Sequence, residues 1–108
     1  MTAVLRIGIV DTGVNPWHSH VRGHVTGCRI HAGADGTIAE DGDFSDPVGH
    51  GTAVAGVIRE AFPDAEIYAV RVFDAVDVTY PSLVARGILR AAAEGCAFVN
   101  LSLSLIHI

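Results

Sequence analysis

The sequence predicts an α/β domain, a three-layer open and mostly parallel sheet with helices on both faces. Apolar runs of strand length at residues 4–10, 25–32, 66–73 and 97–102 are separated by turn residues. Two of the intervening segments, one opening at His50 and one at Pro81, carry helical spacing instead. The first run is also nearly continuous rather than alternating, as a central parallel strand covered on both faces requires.

Taken in order, residues 4–10 are interrupted only by Arg6 and Gly8 and stop at Asp11, Thr12 and Gly13, followed by Asn15 and Pro16. A strand there delivers Asp11 at its carboxyl end. Residues 25–32 mix β-branched and polar side chains and predict a second, less buried strand. Residues 33–49, rich in glycine and acids, predict a long acidic loop. From His50 to about Ala61, the positions Val54, Val57, Ile58 and Ala61 recur at three- and four-residue steps, with Arg59 and Glu60 outward. Phe62-Pro63-Asp64 stops that helix.

Residues 66–73 are β-branched and aromatic and predict a buried strand, with 74–79 as a connecting loop. Pro81 suits the first position of a helix whose inward stripe is Leu83, Val84, Gly87, Ile88, Ala91 and Ala92, closed by Gly95. Residues 97–102 predict the last strand, with Asn100 near its carboxyl end. In open sheets of this kind sites gather at the carboxyl ends of the strands, where Asp11, His50 and Asn100 can meet.

The chain has 108 residues, 50% of them hydrophobic and 18% charged, which suits one globular domain with a modest core. Its net charge of -5, from seven arginines, no lysine and twelve acids, argues against nucleic acid as a partner. No apolar run approaches the roughly 20 residues of a membrane span, and the opening six residues are too short and polar for a signal peptide. A cytoplasmic protein is therefore favoured, with the compartment otherwise open. Cys28 and Cys96 form no metal signature and read as small buried apolar residues. His18, His20, His24 and His31 lack helical pair spacing in a turn-rich segment, so they read as loop histidines rather than a zinc site.

A carboxylate at a strand end and an imidazole at a helix start are two thirds of a charge-stabilised general base, in which aspartate fixes the tautomer and stabilises the imidazolium. Here Ile7-Gly8-Ile9-Val10-Asp11-Thr12-Gly13-Val14 resembles the aspartate motif of the subtilisin-like serine peptidases, the subtilases. His50-Gly51-Thr52-Ala53-Val54-Ala55-Gly56 resembles their histidine motif. Pro63 to Val72 and Gly95 to Ser102 are similar to the strand after the histidine helix and to the strand bordering the substrate cleft. The resemblance spans about residues 4–102 and implies a subtilisin-like fold, with Asp11 orienting the catalytic base His50 and with Leu101 and Ser102 pairing with an extended peptide or protein substrate.

The family's nucleophile lies in a Gly-Thr-Ser turn well after the Asn-Leu-Ser strand, and none of Ser19, Ser45, Ser82, Ser102 or Ser104 has that context. The expectation is a truncated, inactive N-terminal part of a peptidase catalytic domain over residues 1–102. Where the family continues Leu-Gly, residues 103–108 read Leu-Ser-Leu-Ile-His-Ile, which matches translated sequencing-adapter DNA and is expected to be a non-native extension. The family commonly carries calcium, for which Asp35, Glu40, Asp41, Asp43 and Asp46 offer oxygen ligands, but their spacing matches no defined calcium loop, and no other cofactor is implied.

Two other readings compete. A retroviral-type aspartic protease subunit would explain Asp11-Thr12-Gly13 and the length, but not two patterned helices or His50. An inactive peptide-binding module would keep the same fold. Nucleotide binding is disfavoured because no Gly-x-Gly-x-x-Gly follows the first strand. The oligomeric state is left open by the sequence.

Overall fold

The computed structural model describes residues 4–73 and 79–101. In chain order they form β1 (Arg6–Asp11), β2 (Val25–Ala32), β3 (Ile38–Asp41), α1 (His50–Ala61), β4 (Glu66–Arg71), α2 (Pro81–Ala93) and β5 (Phe98–Leu101). The five strands make one sheet in the order β3-β2-β4-β1-β5. Every pairing is parallel except that of β2 with β3. Ser102, residues 103–108 and most of the loop predicted at 74–79 lie outside the described residues.

Alternation along the central strands divides the core into two layers. Ile9, Ile67 and Ala69 cluster with Ala55 of α1, while Val10, Tyr68 and Val70 cluster with Leu83, Val84 and Ala91 of α2. Successive side chains on a strand point to opposite faces, so the helices cover opposite sides of the sheet. This is the three-layer α/β arrangement, and it leaves no place for the nearly all-β fold of an aspartic protease subunit.

The segment read as an acidic loop contains a strand. Residues 38–41 pair antiparallel with β2, in register Arg29↔Asp41 and His31↔Ala39, and the reversal is closed by Gly33 N–H to the Thr37 carbonyl at 2.6 Å. An Arg29–Asp41 ion pair of 2.5 Å locks the register. Four residues, two of them acidic, were too short and polar to show a period against so many turn formers.

The helices keep their predicted spans but not their full predicted stripes. In α2, Leu83, Val84, Gly87 and Ala91 are buried, whereas Ile88 and Ala92 are exposed. In α1, Gly51, Thr52 and Ala55 are buried and Val54 and Ile58 half-buried, while Val57 is 70% exposed and Ala61 lies at the surface. The helix turns its smallest side chains, not its most apolar ones, toward the end of β1. Close backbone approach there fixes the rotation, as the site shows.

Candidate active site

β1 ends on Asp11, whose side chain has no exposed surface. The parallel partner β4 grips the same point, because Val72 N–H donates to the Asp11 carbonyl at 3.0 Å. A buried carboxylate needs donors, and Thr12 N–H supplies one at 2.7 Å. The other comes from α1. His50 is its first residue, and its Nδ1 lies 3.0 Å from each Asp11 oxygen, bridging 39 positions of sequence. The imidazole is 35% exposed while the carboxylate is sealed. The two candidate catalytic residues are thus in direct contact, with part of the imidazole open to solvent.

Two glycines make this approach feasible. Gly49, just before the helix, has φ 104°, a left-handed conformation that costs other residues. Gly51 lies so near the turn after β1 that a Cβ would meet the Gly13 carbonyl oxygen at 1.9 Å. Around them, Gly51 N–H donates to Thr12 Oγ1 at 3.0 Å and Thr52 N–H to Asp46 Oδ2 at 2.9 Å, so the free amides of the first helical turn are held by side chains.

The remaining predicted positions are placed by β5. Leu101 stands in register with Val10, one residue before Asp11, and Asn100 with Ile9. Leu101 is therefore at the carboxyl end of the sheet beside the pair. β5 is an edge strand of the described sheet. Ser19 and Ser82 are exposed, and Ser45 Oγ donates to Asp43 at 2.6 Å. Burial pushes the Cys28 and Cys96 thiols up, away from the reactive thiolate. A groove of about 770 Å³ runs between the outer face of α1 and the 15–22 segment, touching the site through Asn15, Gly49 and Thr52.

The acids offered for calcium do not converge. Asp41 faces Arg29, whose hydrogen bond holds its carboxyl below the ordinary range, and Ser45 does the same for Asp43 and Thr37 for Asp35. Glu40 faces Arg90 at 2.9 Å, and Asp46 is buried in its own network. Among the described residues no three His, Cys, Asp or Glu side chains are grouped to hold a metal ion. The five acids are therefore not gathered into one calcium centre. His18 packs edge-on to His20, with ring centroids 5.2 Å apart, and His31 pairs with Asp41 at 3.3 Å.

Sequence reading missed Thr12, Asn15 and Thr52 as site members and took Asp46 for a loop acid. The usable signal was an aspartate four residues before His50 and three before the glycine that opens the helix, the reach of an upstream cap.

A family model described as Peptidase_S8, the subtilase family, matches residues 4–105. Thermitase of Thermoactinomyces vulgaris is 36% identical across 91% of this chain, and the Subtilisin-like protease SBT6.1 of Arabidopsis thaliana is 34% identical across 94%. Subtilisin E of Bacillus subtilis is 26% identical across 92%. The chain spans 37%, 10% and 26% of the lengths of these three relatives. A match that follows the fold from before β1 to beyond β5 leaves one assignment: this chain belongs to the subtilase family.

Proposed function

We propose that the chain supplies the aspartate and histidine of a serine endopeptidase that hydrolyses peptide bonds through an Asp-His-Ser triad. The observation that carries this is the contact of His50 Nδ1 with both oxygens of the buried Asp11 carboxylate, each at 3.0 Å. With Nδ1–H donating to Asp11, the opposite nitrogen, Nε2, keeps its lone pair. In the proposed reaction Nε2 takes the proton of the serine hydroxyl as that oxygen attacks the scissile carbonyl carbon, and then returns it to the leaving amine. Asp11 stays ionised and stabilises the imidazolium between those steps.

The serine is proposed to lie outside these 108 residues, in keeping with the fraction of thermitase that the chain spans. An extended peptide is proposed to pair with backbone groups at Leu101 and Ser102, where Leu101 stands in register with Val10 next to Asp11. The 108-residue chain alone is then inactive, since loss of the nucleophile costs about 10⁶-fold in turnover.

A fluorophosphonate probe, which labels activated serines, tests the reading on the product of the whole gene. Labelling and peptide hydrolysis are expected, with both lost in His50→Ala. A folded product that binds peptide but is never labelled would instead establish the inactive binding module.

A further inference from the structure

We propose that Asp46 is a positioning residue for the Asp11–His50 pair, a carboxylate that ties the end of β1 to the first turn of α1; this rests on the reading of that pair as the working base. Asp46 is 6% exposed and both of its oxygens face donors only. Oδ1 accepts from Thr12 Oγ1 at 2.8 Å, Val48 N–H at 3.0 Å and Gly49 N–H at 2.8 Å. Oδ2 accepts from Thr52 N–H at 2.9 Å and Thr52 Oγ1 at 2.6 Å.

These donors bracket the pair. Thr12 follows Asp11, Gly49 precedes His50, and Thr52 lies one helical step past Gly51, whose own N–H is taken by Thr12. Asn15 fastens the arrangement from outside: its side chain accepts from Asp46 N–H at 2.9 Å and donates to the Asp46 carbonyl at 3.1 Å, while its N–H donates to Thr52 Oγ1 at 3.0 Å. Burial alone would raise the Asp46 carboxyl, yet the hydrogen bonds from Gly49, Thr52 and Thr12 outweigh it and hold the group ionised below the ordinary carboxylate range.

The chemistry demands a carboxylate. An amide at position 46 puts an NH₂ against a fixed backbone donor whichever way it is turned, Thr52 N–H on one side or Val48 and Gly49 N–H on the other, so Asp46→Asn breaks the latch with almost no change of shape. A residue that merely stabilised the fold would lower Tm and leave the His50–Asp11 hydrogen bond as it was. A positioning residue changes that bond in a folded protein.

The test is NMR of the ¹⁵N-histidine-labelled product of the whole gene, following the low-field Nδ1–H resonance of His50, with circular dichroism to confirm folding. In Asp46→Asn the proton is expected to exchange with water at least about tenfold faster, the loss of a charge-assisted hydrogen bond. Thr52→Val, which removes one hydroxyl donor, is expected to give about threefold. An unchanged exchange rate in folded Asp46→Asn, or in Thr52→Val should the first variant not fold, overturns the proposal. Absence of the resonance from the unaltered chain overturns the pairing itself, and this proposal with it.

Discussion

A methyl group on Gly51 would sit 1.9 Å from the Gly13 carbonyl oxygen, and because that contact is backbone no rotamer change relieves it. Gly51→Ala must push the helix start away from β1 or unfold it. The expected cost is about 2 kcal/mol or more, a fall in Tm of at least about 8 °C, read by thermal denaturation. The histidine motif His50-Gly51-Thr52 made this segment legible, and the strand-end position made Asp11 legible. Asp46 was not, because its function depends on Thr12 and Thr52 arriving from two separate segments. The Thr52 half left a local trace in the spacing before His50, but nothing local records the Thr12 contact 34 positions away.

At the scale of elements, the strands and helices that carry the site were readable because each has one strong period. The near-continuous run of β1 matches burial of every position from Ile7 to Asp11. Pro81 and the turn at Gly95 bounded α2, whose first residue is that proline. What failed was orientation and a short edge. Hydrophobicity placed Val57 inward, but the helix rotates to bring Gly51 and Ala55 against the sheet, since distance of approach at the site outranks apolar area. β3 is specified by its partner β2 and by Arg29, not by its own composition.

At the scale of the whole molecule, the acids that confer the net charge of -5 also set its response to pH. The Asp35, Asp41, Asp43, Asp46 and Glu66 carboxyls are all held below their ordinary values. A depressed folded-state pKa gives stability that is complete above the unfolded value and is lost as pH falls through the folded one. Tm should therefore be flat above about pH 5 and drop below about pH 4, with Asp46, the buried member, contributing most and the exposed pairs little. A Tm unchanged down to about pH 2.5 would refute this. The fold's largest consequence is that two residues 39 apart in sequence form one unit. The most direct test is a double-mutant cycle on kcat/KM for peptide hydrolysis by the product of the whole gene. Asp11→Asn alone should lower kcat/KM about 10⁴-fold and His50→Ala about 10⁶-fold. The double variant is predicted to be no worse than His50→Ala within about threefold, because Asp11 acts only through His50. A double variant that loses the full product of the two penalties would show that the residues act independently, and would contradict the account.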